Sequence, residues 1–218
     1  MVKTLLNENS TVTEGVMLNG HEQDPVFIFA HGAGAGMGHV FMEQVANEIA
    51  EQGVYVVRFN FPYMVKRAQD GTRRPPDRAP KLLEAYTNMI ESFAPRKVVI
   101  GGKSMGGRMA SLLSEHTNVA AVVCLGFPFH PPGKPEKFKG DHLATLNKPC
   151  LILQGERDTF GKREEFDQFT LADCIEVMFI PDGDHGFTPR KRSGYTESDN
   201  LVLAATKVAT FTKEHSSA

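Results

Sequence analysis

Six short apolar runs, separated by stretches of helical periodicity, constrain this chain more than any other feature. Val26–Ala30 is apolar throughout, as expected of a strand covered on both faces. Val54–Phe59, Lys97–Ile100 leading into Gly101, Val119–Leu125, Cys150–Leu153 and Ile175–Ile180 continue the series. Between them, Phe41–Gln52, Leu82–Phe93, Met105–Leu113 and Asn200–Glu214 carry apolar residues at three- and four-residue steps, and Gly53 stands where a helix stops. Strands alternating with helices of this length imply βαβ units around a mostly parallel sheet. No internal repeat interrupts the pattern, so residues 1–218 are read as a single α/β domain. The first 24 residues are read as holding one or two antiparallel edge strands.

Bulk properties argue against several function classes. Hydrophobic residues make up 41% and charged residues 23%, an ordinary globular balance. A formal net charge of −2 provides no global pull toward nucleic acid or anionic membrane. Polar and acidic residues arrive early in Met1–Glu8, before an apolar leader segment could form, and no apolar stretch is long enough to span a bilayer. Cys124, Cys150 and Cys174 lie in or beside apolar runs, which reads as reduced thiols and a cytoplasmic protein.

Gly102-Lys103-Ser104-Met105-Gly106 fits G-x-S-x-G, and its setting carries more information than its letters. A strand runs into it and a helix runs out, which is the context of a nucleophile on a sharp strand-to-helix turn. Gly102, Gly106 and Gly107 supply the space that such a turn demands. A serine hydroxyl needs a base to remove its proton, and that base is usually an imidazole held by a carboxylate. In this type of site the acid and then the base follow the nucleophile. Asp158 stands 54 residues after Ser104, and His185 a further 27 on; each lies just beyond the end of an expected strand. All three should therefore meet on one edge of the sheet.

The competing residues are less well placed. His21 and His31 precede Ser104, His116 ends the helix after it, His130 and His142 precede the acid, and His215 is near the C-terminus. Glu156 is the alternative acid, but only a residue beyond the strand end can bend toward the imidazole. Asp182 and Asp184 are read as shaping the turn that carries His185. An oxyanion hole needs two amide donors, of which Met105 N–H is one. The small-residue loop His31-Gly32-Ala33-Gly34-Ala35-Gly36 supplies the second, with Ala33 chosen and Gly34 the alternative. That loop lacks the spacing of nucleotide-binding glycine motifs.

Two segments break the alternation, Phe61–Pro80 and Phe127–Asp141; both follow strands and are expected as loops at the ligand-binding edge. The first holds a basic run, Lys66 to Arg78. It is either a solvated loop with arginines paired to Asp70, Asp77 and Glu84, or a rim that attracts anionic substrates through Arg67 and Arg78, aided by Arg190, Lys191 and Arg192. Phe127, Phe129 and Phe160 are expected near the mouth of the site, with Gly34 and Phe127 touching substrate.

With these motifs assembled, the sequence resembles compact bacterial α/β-hydrolases of the family that includes the hydrolase-like domain of an NSL histone-acetyltransferase complex subunit. The resemblance rests on His31-Gly32-Ala33-Gly34, Arg58-Phe59-Asn60-Phe61-Pro62, Pro76-Asp77-Arg78, Gly102 to Arg108, Gln154-Gly155-Glu156-Arg157-Asp158 and Gly183-Asp184-His185. More broadly it is similar to dienelactone-hydrolase-like enzymes, which use cysteine where this chain has Ser104. It implies an α/β-hydrolase fold with helices on both faces of the sheet, and the chain is short for that fold, which leaves little room for a cap. The expected activity is hydrolysis of a small ester or thioester through an acyl-enzyme, with no metal or organic cofactor. An idle binding module on the same scaffold and a serine peptidase are the alternatives.

Overall fold

In the computed structural model, residues 11–13 and 15–216 are described. Eight strands form one sheet: β1 (Thr11–Thr13), β2 (Val16–Asn19), β3 (Val26–Ala30), β4 (Tyr55–Phe59), β5 (Val98–Lys103), β6 (Val119–Leu125), β7 (Cys150–Gly155) and β8 (Ile175–Ile180). Their spatial order is β1-β2-β4-β3-β5-β6-β7-β8. The sheet is parallel from β4 to β8, and the antiparallel pair β1 and β2 closes one edge, as expected for the N-terminal segment.

Strand alternation divides the core between two faces. Phe27, Phe29, Val56 and Val99 pack under α1 (Val40–Ala50) and α5 (Glu197–His215). Val26, Ile28, Val57, Val98 and Ile100 face the other way, toward α2 (Pro62–Asp70), α3 (Ala79–Glu91) and α4 (Met105–Ser111). Every residue of β3 is fully buried, which is why its sequence is apolar without alternation. α1 and α5 start on side-chain caps: His39 accepts from Phe41 N, and Thr196 accepts from Asp199 N.

One segment departs from expectation. Within Phe61–Pro80, residues 62–70 are helical rather than a loop. Pro62 sits in the first turn, where its missing N–H costs nothing, and Gly71 ends the helix in the left-handed conformation (φ 71°). Only Tyr63 and Met64 of α2 are buried, so its remaining face is polar and reads as loop composition. Phe127–Asp141 is irregular, as expected, and ends in a 3₁₀ turn at Asp141–Thr145. Among the described residues no segment builds a separate cap over the carboxyl ends of the strands.

Candidate active site

β5 hands directly to α4 through Ser104, whose backbone takes φ 53° and ψ −115°. For a non-glycine residue such a conformation costs about 1–3 kcal/mol and persists only where surrounding structure imposes it. The constraint is visible at the flanking glycines. A Cβ on Gly102 would lie 2.4 Å from the Gly106 carbonyl carbon, and one on Gly106 would lie 2.4 Å from Ala30 O. Main-chain bonds from Ser104 N to Leu125 O (2.9 Å) and from Arg108 N to Ser104 O (3.0 Å) hold the turn on both sides. The turn lifts the half-buried Ser104 side chain into a cleft at the carboxyl edge of the sheet.

The geometry brings the three expected side chains into one chain of hydrogen bonds. Ser104 Oγ lies 2.9 Å from His185 Nε2, and His185 Nδ1 lies 2.8 Å from Asp158 Oδ2. A carboxylate can only accept, so Nδ1 carries the proton and Nε2 is free to accept from Oγ. Asp158 has no solvent exposure, and it also accepts from Gln154 Nε2 (3.0 Å) and Phe160 N (2.9 Å). Glu156, the rival acid, is engaged elsewhere: it pairs with Arg163 at 2.6 Å and accepts from Asp182 N.

The loop after β8 is shaped around His185 as the sequence implied. Asp184 Oδ1 accepts from Gly186 N and Thr188 N, and Asp182 pairs with Arg157 and Arg190. The Phe160 ring stands 4.3 Å from the imidazole, centroid to centroid. Burial holds the imidazole below its ordinary titration range; the Asp158 hydrogen bond opposes that shift, and the nearby Lys103 charge adds to it. At neutral pH the ring is therefore a neutral acceptor.

The loop after β3 lines the same cleft, and its carbonyls are tied down. The Tyr63 hydroxyl lies 3.0 Å from Ala33 O and 3.3 Å from Gly32 O, while Arg67 reaches Gly34 O at 3.4 Å. His31 is fully buried and its imidazole pKa is pushed down to about 4 by that burial, so it is neutral. Its Nε2 accepts from Phe61 N (3.1 Å), which leaves Nδ1 to donate to Gly32 O (2.7 Å). Met105 opens α4, where the first amide N–H groups have no partner within the helix.

The cleft has a volume of about 360 Å³ and opens onto Ser104 and His185. Ala33 and Gly34 line it, together with His39, Phe41, Met42, Lys103 and Phe160. Phe127 does not. Gly126 adopts φ 66° after β6 and turns the chain inward, so Phe127 and Phe129 are fully buried, 4.7 Å apart in the core. Of the three phenylalanines expected at the mouth, only Phe160 is there. Arg67 touches the loop behind the cleft, whereas Arg78 is exposed at the start of α3 and is not part of the cleft wall. Within the basic run Arg74 pairs with Asp70, and Asp77 pairs with Lys81.

An alpha/beta hydrolase domain family matches residues 23–213. The chain belongs to the α/β-hydrolase family. Solved α/β-hydrolases cover nearly its whole length. A serine hydrolase homologue from Coxiella burnetii superposes with a TM-score of 0.67 at 17% identity, over 96% of this chain and 99% of that one. A serine hydrolase without a lid from Xanthomonas campestris gives 0.67 at 17% identity, over 96% and 98%. A dienelactone hydrolase from Anabaena variabilis gives 0.63 at 20% identity, over 92% and 89%. At these identities the likeness is one of α/β-hydrolase fold, and it shows no narrower kinship with the chromatin-complex domain.

Proposed function

We propose that this α/β-hydrolase is a serine hydrolase acting on a small ester or thioester. The observation that carries the reading is the continuous chain from Ser104 Oγ through the His185 ring to buried Asp158, with the cleft opening on Oγ. Ser104 Oγ attacks the acyl carbon as its proton passes to His185 Nε2, and Asp158 holds the required tautomer and stabilises the imidazolium that forms. The oxyanion is met by the Met105 N–H and by the N–H of Ala33, with Gly34 as the alternative. Proton return from Nε2 releases the alcohol or thiol, and water repeats the sequence on the acyl-enzyme. These steps use only side chains and main chain. Apolar walls from Phe41, Met42 and Phe160 in a cleft of about 360 Å³ favour a short, uncharged acyl group. The free thiols of Cys124, Cys150 and Cys174 support a reducing compartment such as the cytoplasm.

The test is labelling with a fluorophosphonate probe followed by mass mapping, with Ser104→Ala and His185→Ala alongside. Modification at Ser104 that is lost in both variants is the expected result, and short-chain ester and thioester panels then define the acyl group. A folded wild type that never labels would mean that the scaffold serves binding rather than catalysis.

A further inference from the structure

Alternation along β5 places Val98 and Ile100 against one core face and Val99 against the other, under α1 and α5. Two steps beyond Val99 that second face receives Lys103. An ammonium among apolar side chains costs free energy unless its donors are used. Here it lies 5.5 Å from the Phe41 ring centroid and 5.7 Å from that of Phe187, and it donates to the main-chain carbonyl of His185 at 2.5 Å. The space is made for it: a Cβ on Gly126 would stand 2.7 Å from Lys103 Nζ and 3.3 Å from His185 Nδ1. The ammonium thus sits beneath the imidazole, on the strand that carries the nucleophile.

We propose that Lys103 is a positioning residue that clamps the His185 loop onto β5, acting on the imidazole both through this hydrogen bond and as a like charge beside it. The inference rests on the reading of His185 as the base. The charged groups facing the imidazole are Lys103 from β5, Asp158 from the loop after β7, and Asp184 from its own loop. The two carboxylates favour its protonated form, and Lys103 alone of the three opposes it. Burial brings the Lys103 pKa down to about 8, with Asp158 and Asp184 acting in the opposite sense. The ammonium is therefore charged wherever His185 titrates and neutralises one step later.

The experiment measures fluorophosphonate labelling rates at Ser104 from about pH 5 to about pH 9 for wild type, Lys103→Met and Lys103→Arg. In Lys103→Met the acid limb should move to higher pH, because the imidazole no longer faces a like charge, and labelling on that limb should slow. Lys103→Arg should return the limb to its wild-type position. A Lys103→Met limb coincident with wild type, or at lower pH, overturns the proposal. Should Lys103→Met fail to fold, Lys103→Gln takes its place, with the same upward shift of the acid limb expected and an unshifted or lowered limb overturning the proposal. If wild type labels at no pH, the hydrolase reading fails, while the His185 ring titration followed by NMR still tests the clamp separately: it should move to higher pH in Lys103→Met or Lys103→Gln, and an unmoved titration overturns the clamp.

Discussion

Asp158→Asn separates geometry from charge at the candidate triad, and the structure dictates which way the new amide turns. Asp158 Oδ2 accepts from His185 Nδ1 and Gln154 Nε2, and Oδ1 accepts from Phe160 N. An asparagine has one oxygen to cover these donors. Placed at the Oδ2 position, that oxygen preserves the useful tautomer but sets its own NH₂ against the Phe160 N–H, leaving that buried donor unpaired. Placed at Oδ1, it satisfies Phe160 and presents NH₂ to His185 Nδ1, which then becomes an acceptor and moves the ring proton to Nε2. Gln154 tolerates the second arrangement, because its Nε2 also donates to Gly161 O (3.1 Å) and Phe127 O (3.3 Å). An unpaired buried donor costs about 1–3 kcal/mol, so the second arrangement is favoured roughly five- to 150-fold. It is the inactive one, since Nε2 then donates toward Ser104 Oγ. The expected result is a loss of labelling and of ester turnover on the order of 10³–10⁴-fold, with the thermal midpoint close to wild type. Activity within tenfold of wild type would refute the tautomer argument. Inactivity accompanied by a collapsed melting temperature would refute the claim that the hydrogen bonds rearrange without loss.

Tyr63→Phe removes the hydroxyl that restrains Ala33 O and Gly32 O; it should cost about 1 kcal/mol of stability and lower kcat more than it raises KM in ester assays. Gly106→Ala forces a Cβ to 2.4 Å from Ala30 O and 2.7 Å from His31 O. Main chain on both sides cannot yield cheaply, so calorimetry should show a loss of about 1–3 kcal/mol, equivalent to roughly 2–12 °C. His31 is neutral in the fold down to about pH 4, whereas the unfolded chain protonates it near 6.5. Its contribution is present above pH 6.5 and is lost as pH falls toward 4. Denaturant titrations should show stability declining across that window, about 3 kcal/mol of the decline arising at this residue, and His31→Gln should flatten the profile.

The sequence disclosed most where one physical cause dominates. Strands buried on both faces must be apolar throughout, so β3 to β7 were legible as runs, and half-exposed β8 still shows as one interrupted by Glu176. The meeting of Ser104, Asp158 and His185 was legible from their order because each lies just beyond a parallel strand, and parallel strands end on one edge. What escaped depended on the direction the chain takes after a strand. Phe127 follows β6 just as Asp158 follows β7, and composition does not distinguish them; the positive φ of Gly126 turns one inward, while the other is drawn in by three donors. α2 was hidden because a helix with two buried residues has almost no apolar stripe to detect, although Pro62 and Gly71 marked its ends.

Lys103 shows how the missing information can be recovered. Within G-x-S-x-G its position is an unspecified x, and the motif gives it no role. The motif, however, is the end of a strand, and strand parity assigns Lys103 to the face of Val99, which is core. A charged residue at a core parity position is tolerated only where a partner repays its desolvation. The carbonyl that does so belongs to His185, 82 residues away in sequence. Setting parity against residue type along the strand before the nucleophile would therefore have marked Lys103 for attention before any coordinates, though only the fold supplies its partner.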